Sequence, residues 1–189
     1  MAAVESQMLE LGTRAPQFSL PDPDGNLHRL EPGADAYVVM FICNHCPFVI
    51  HVREELARIG RDYGDRNVQL IAINSNDVEA YPADGPDNMK KAAAEWGLTF
   101  PYVLDEDQSV AKAYRAACTP DIFLFDREQR LVYRGQLDDS RPSNDEPVDG
   151  HDIRAALEAV LNGQPISDEQ VPSIGCNIKW KAGNAPDYF

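Results

Sequence analysis

The chain has 189 residues, 43% hydrophobic and 25% charged, with a formal net charge of −14. That length supports one soluble domain with its own core, and no apolar run approaches the ~20 residues of a membrane span. So acidic a surface repels phosphate backbones and anionic headgroups, so neither nucleic acid nor a membrane is expected as a partner. The opening Met1-Ala2-Ala3-Val4-Glu5-Ser6-Gln7 has no basic segment followed by an apolar one, and the expected location is cytoplasmic.

Residues 1–16 read as a loose lead-in ending at Pro16. Phe18-Ser19-Leu20 and Leu27-His28-Arg29-Leu30 flank an Asp-Gly turn and predict a short hairpin. Tyr37 to Ile42 is an unbroken apolar run, as a strand covered on both faces requires. From Pro47 to about Tyr63, Val49, Val52, Leu56 and Ile59 recur at spacings of three and four, so a helix is expected, with Gly64 as its stop.

Val68 to Ile73 is a second buried strand, and 74–86 a polar, Pro-containing loop. A helix over about 87–96 ends at Gly97; a short strand at 102–104 and a short helix over 108–116 come next. Ile122 to Phe125 is a third buried strand, joined by a tight turn to Leu131-Val132-Tyr133-Arg134. A last helix lies near 150–162, closed by Gly163. Residues 163–189 show no clear period, yet Ile174, Cys176, Ile178 and Trp180 are too apolar for a free tail, which should pack on the domain. Strands alternating with helices predict an α/β fold: a central mixed sheet covered by helices on both faces, with an N-terminal hairpin and a C-terminal extension. One domain is expected over 1–189, with its core at about 12–162.

The chemistry concentrates at Cys43-Asn44-His45-Cys46-Pro47, where the first buried strand hands over to the helix. A thiol attacks only as thiolate, and the amides and dipole at a helix start stabilise that anion. Cys43 is therefore expected to attack, with His45 lowering its pKa when protonated. Cys46, placed one turn into the helix, is expected to resolve the mixed disulfide. No metal or organic cofactor is expected. A zinc site would need Cys118 and Cys176 to complete four ligands.

The order strand, Cys-x-x-Cys, long helix, strand, helix and then Thr119-Pro120 before a buried strand resembles the thioredoxin fold over about residues 12–162. That resemblance implies a cis Pro120 beside the cysteine pair, and a Thr119 whose backbone pairs with an extended substrate segment. The longer hairpin and the 74–86 insertion resemble the redoxin branch, with its AhpC/TSA proteins. Closest in pattern are bacterial peroxiredoxin-like members with Cys-Asn-His-Cys-Pro, Ala72 to Asp77, Cys118-Thr119-Pro120-Asp121 and Ser173 to Trp180.

Against the peroxiredoxin pattern, Cys43 stands where a threonine precedes the peroxidatic cysteine, and Thr119-Pro120 stands where an arginine is usual. Against the thioredoxin pattern, Ile42 replaces a tryptophan and Tyr37 the buried acid. The implied activity is thiol–disulfide oxidoreduction, with a protein or small-molecule disulfide as substrate and a thioredoxin-type or low-molecular-weight thiol as electron donor. The alternatives are a thiol peroxidase and a non-catalytic binding or zinc-carrying module.

Cys118 is read as a buried residue, with a third redox thiol as the alternative. Cys176 is expected to pack with Trp180, with a resolving thiol or an intermolecular bridge as the alternative. His51 is expected to face solvent, and His28 and His151 carry no assigned role. The turn Asp138-Asp139-Ser140-Arg141 reads as a polar loop with a local Asp–Arg contact; bordering the site is the alternative.

Overall fold

The apolar run in front of the cysteine pair becomes strand β4 (Ala36–Phe41), all six residues buried. The structure is a computed structural model and describes residues 3–189. β4 is the middle of a five-stranded sheet. β5 (Val68–Asn74) runs parallel to it on one side and is followed outward by parallel β6 (Tyr102–Leu104). On the other side lie antiparallel β8 (Asp121–Asp126) and β9 (Leu131–Gly135).

Alternation along β4 sorts its side chains onto two faces. Val38 and Met40 join Ile122 and Leu124 beneath Val49, Val52, Leu56 and Ile59 of α1 (Pro47–Gly64). Met89 of α2 (Pro86–Trp96) and Ile153 and Leu157 of α4 (His151–Leu161) complete that layer. Tyr37, Val39 and Phe41 face the other way, towards Phe123 and Phe125. There they meet Val110 and Ala111 of α3 (Ser109–Ala113), Tyr114, and the hairpin formed by β2 (Leu20–Pro21) and β3 (Leu27–His28). Each large apolar side chain so buried contributes about 1.5–3 kcal/mol. Both faces of the sheet are therefore covered, as the unbroken apolar strands require.

Several expectations shift. α1 runs through Gly64, and the left-handed residue beyond it is Asn67, φ +56°. The helix expected over 108–116 shortens to five residues, because Arg115 takes φ +52° and the chain turns into strand β7 (Cys118–Thr119). The polar loop at 74–86 holds a 3-10 turn at Pro82–Asp84.

The larger departures lie at the chain ends. Met1 and Ala2 of the lead-in fall outside the described residues, but Ala3–Glu5 is a strand, β1. It pairs antiparallel with β10 (Ile174–Asn177) in the tail, and β10 pairs antiparallel with β7. Part of the tail is thus the middle strand of a second, three-stranded sheet.

Candidate active site

β4 stops at Phe41, and the Ile42 amide still donates to the Ile73 carbonyl at 2.9 Å, so the chain leaves the sheet at Cys43. α1 begins at Pro47, whose missing N–H costs nothing at the first helical position. Cys46 is therefore the N-cap residue rather than a residue one turn inside the helix. The intervening loop is clamped from the 82–84 turn. The Asn44 amide donates to Asp84 Oδ1 at 2.8 Å and its side chain to the Ala83 carbonyl at 2.9 Å. Tyr102 Oη donates to Asn44 Oδ1 at 3.0 Å.

The Thr119–Pro120 bond is cis, as expected. Thr119 touches both cysteines: Cys46 Sγ donates to its carbonyl at 3.1 Å, and Cys43 Sγ lies 3.5 Å from its hydroxyl. The two sulfurs are within hydrogen-bonding reach of each other. Cys43 is 1% exposed and Cys46 0%, so the pair is covered.

What covers it is partly the tail. Cys176 of β10 is the partner of Thr119 in the strand pair, and Asn177 is the partner of Cys118. The Thr119 backbone, expected to be open to substrate, is occupied by the chain itself. Gly175 allows this closeness, since a Cβ there would fall 2.0 Å from the Thr119 carbonyl oxygen. Cys176 does not pack with Trp180: its thiol reaches Cys46, while Trp180 stacks edge-on against Phe189 at 6.2 Å on the other side of the main sheet. Cys118 is fully buried, as expected, and its thiol points at the Pro120 carbonyl at 3.4 Å. Burial, and after it the Asp121 carboxylate, pushes that thiol well above the ordinary range.

The electrostatics push the two central cysteines in opposite directions. Cys43 is pushed up by its hydrogen bond with Cys46, by burial, and by the negative charge of Asp84. Cys46 is pulled down to about 5, first by the Cys43 thiol donating to it, then by Thr119 and Cys176 against the opposing cost of burial. The Val49 amide faces the Cys46 sulfur without making a full cap hydrogen bond. Loss of the Cys46 proton gives up its bond to the Thr119 carbonyl, but the remaining donors and the helix start outweigh it. Together these effects favour the thiolate on Cys46 over one on Cys43.

His45 is not free beside Cys43 but lies against Asp84. Its Nδ1 lies 2.7 Å from Asp84 Oδ2, close but out of line for a good hydrogen bond. Asp84 is fully buried and also accepts from the Asn76 side chain at 2.8 Å. The sequence reading missed Asp84. Its only local signal is the Asp-Gly-Pro run before a helix, which marks a turn and not a buried acid. Among the described residues, Cys43, His45 and Asp84 form a donor group compact enough for a metal ion, as do Asp139, His151 and Asp152.

A narrow cavity opens on the other side of Pro120, lined by Phe48, His51, Leu137, Arg141 and Ile174. His51 is half-buried with a covered Nε2, so it faces this cavity rather than bulk solvent. The 138–141 turn borders the site as well. Asp138 accepts the Asp149 and Gly150 amides at 2.9 and 2.7 Å, tying the turn to the start of α4. Arg141 donates to the Asp138 and Ser140 carbonyls at 2.8 and 2.7 Å.

Comparisons with known proteins agree with this architecture. A crystal structure of an uncharacterized conserved protein from Geobacillus kaustophilus is 60% identical with a TM-score of 0.93, covering 96% of this chain and 97% of that one. A hypothetical protein from Sinorhizobium meliloti 1021 is 52% identical, also with a TM-score of 0.93, covering 95% and 99%. The thioredoxin domain of a thiol-disulfide oxidoreductase from Bacteroides vulgatus shares the fold, with a TM-score of 0.61 at 20% identity over 79% of this chain and 98% of that one. The curated thiol-disulfide oxidoreductase ResA of Geobacillus thermodenitrificans is 29% identical over 131 residues, 67% of this chain and 70% of that protein. The AhpC/TSA family pattern matches residues 11–134, more than half of the chain and including the cysteine pair and Thr119-Pro120. This protein has a thioredoxin-like fold and belongs to the AhpC/TSA family.

Proposed function

We propose that Cys43 and Cys46 are the redox centre of this thiol–disulfide oxidoreductase, cycling between two thiols and one disulfide. The observation that carries the reading is the pair itself: two sulfurs in mutual reach at a helix start, both touching Thr119 beside cis Pro120. The Cys46 thiolate attacks one sulfur of a substrate disulfide, and the departing sulfur takes a proton. Cys43 then attacks Cys46 in the mixed disulfide, loses its proton and releases the second substrate thiol. One disulfide is reduced and one, Cys43–Cys46, is formed.

The electron donor that resets the pair is a dithiol protein of the thioredoxin type or a low-molecular-weight thiol. A reducing compartment such as the cytoplasm suits this cycle. Among the described residues, no helix is long and apolar enough to cross a membrane.

The test is single-turnover reaction of the reduced protein with a small disulfide, repeated with Cys43→Ser and Cys46→Ser. Cys46→Ser is expected to abolish the reaction, and Cys43→Ser to carry it first to a mixed disulfide on Cys46. A mixed disulfide trapped on Cys43 instead would restore the opposite order of attack. Loss of all exchange in the unaltered protein would remove the function.

A second reading, thiol peroxidase, draws on the low pKa of Cys46 at the N-cap. Rapid peroxide consumption with sulfenic acid mapped to Cys46 would favour it.

A further inference from the structure

We propose that Cys176 is a third redox thiol, the internal exchange partner of Cys46, carried by a tail strand that lies along the substrate edge of the Thr119–Pro120 loop. The inference rests on the oxidoreductase reading of Cys43 and Cys46 and adds a residue to it. Cys176 also lies outside residues 11–134, so the AhpC/TSA pattern does not cover it.

The placement is built from three independent features. The first is register: Cys176 is paired with Thr119, the residue whose carbonyl takes the Cys46 thiol at 3.1 Å. The second is closeness. Gly175 leaves room that any other residue would fill, because a Cβ there would meet the Thr119 carbonyl at 2.0 Å and the Pro120 nitrogen at 3.2 Å.

The third is anchoring. Before the strand, Ser173 accepts the Ser6 amide at 2.9 Å and donates its own amide to Ser6 Oγ at 3.1 Å. After it, the Ile178 amide donates to the Ala117 carbonyl at 3.0 Å, and the Lys179 amide to Asn76 Oδ1 at 2.9 Å. Along the other edge β1 completes the ladder. An extended segment pairing with an open strand edge is how many domains hold peptides. Here the segment is the protein's own, and it brings a thiol to the sulfur it would attack.

Cys46 lies against Thr119, the strand partner of Cys176, and both Cys43 and Cys176 help to lower its pKa. The step is an exchange. In the oxidised protein the deprotonated Cys176 attacks Cys46, and the Cys46–Cys176 bond forms as the Cys43–Cys46 bond breaks. The electron pair leaves on Cys43, which takes up the proton that Cys176 gave away. The substrate disulfide that oxidised the pair is the only oxidant required. In the reduced protein burial, and after it the hydrogen bond to Cys46, holds Cys176 up at about 12, so it remains a thiol donating to the Cys46 thiolate. Oxidation of Cys46 removes that negative charge, so deprotonating Cys176 is then opposed by burial alone.

The experiment uses the full chain, unaltered and as Cys43→Ser, equilibrated with mixtures of reduced and oxidised glutathione. Free thiols are then alkylated and disulfides mapped by peptide mass spectrometry. In Cys43→Ser the expected product is a Cys46–Cys176 disulfide with near-complete loss of bound glutathione. Adding Cys176→Ser should return glutathione to Cys46. The unaltered protein should show both Cys43–Cys46 and Cys46–Cys176 bonds.

Glutathione retained on Cys46 while Cys176 stays alkylatable would overturn the proposal and leave the oxidoreductase reading standing. An unaltered protein that forms no disulfide at any glutathione ratio would overturn both.

Discussion

Nδ1 of His45 lies 2.7 Å from Oδ2 of Asp84, a carboxylate with no solvent exposure at all. The histidine between the two cysteines therefore meets a buried anion, and it is that anion whose charge reaches Cys43. Asp84 also holds the active loop in place through the Asn44 amide. One residue thus sets both the shape of the loop and part of its charge.

Replacing Asp84 with Asn removes a negative charge next to sulfurs that become negative on reduction. The dithiol form gains, and the equilibrium with glutathione is expected to shift towards the reduced protein by roughly tenfold. The amide cannot satisfy every donor that Asp84 now accepts, so stability should fall by about 1–3 kcal/mol in denaturant unfolding. A redox equilibrium that does not move would mean the Asp84 charge is screened from the pair.

Ultraviolet titration of the thiolate in the reduced protein is expected to show a first midpoint at about 5, assigned to Cys46. Its folded pKa is depressed below the usual ~8.5 of a free thiol. The stabilisation it gives the reduced fold is therefore fully present above ~8.5 and is lost as pH falls through about 5. Cys43→Ala removes the main donor to the thiolate and should move the midpoint up towards the ordinary thiol range. The same midpoint surviving in Cys46→Ser would place the thiolate on the other sulfur.

Gly175→Ala tests how the tail closes the site. The added methyl group would sit 2.0 Å from a backbone oxygen, so the strand has to shift away from Thr119. A stability loss of about 1–3 kcal/mol is expected, with faster alkylation of Cys43 and Cys46 as their cover lifts. Unchanged alkylation would show that other parts of the chain shield the pair.

Asp121, directly after Pro120, is another fully buried carboxylate, and its Oδ1 has no hydrogen-bond partner among the described residues. Burial raises it to about 7, against three backbone amides that pull it down. Because the folded value is raised, its protonated form is favoured in the fold. The stability this gives is present below ~4 and lost as pH rises through about 7. Asp121→Asn keeps an acceptor for the Ala117 amide and is expected to flatten this slope, stabilising the protein most above neutral pH. Parallel stability profiles for the two proteins would count against it.

The central sheet was legible because β4, β5 and β8 each hold four or more consecutive apolar residues, a pattern expected of strands covered on both faces. The long helix was legible from Val49, Val52, Leu56 and Ile59, each of which is buried on the same side. Local chemistry also marked the cysteine pair, and the resemblance to the thioredoxin fold implied the cis proline. The tail strand was not legible, since four residues pairing on both edges leave little periodic signal, and a strand of that length gets its stability from its neighbours.

The amino-acid sequence alone determined the fold class, the pair of thiols and their position at the junction of a strand and a helix. These come from local periodicity and from residue types next to one another in the chain. The tertiary structure decided that the two thiols are pushed in opposite directions, that Asp84 stands behind His45, and that Cys176 reaches Cys46. The last two are contacts between residues 39 and 130 positions apart. Only the packed fold brings such groups together, and burial gives them their electrostatic weight because little water remains to screen them.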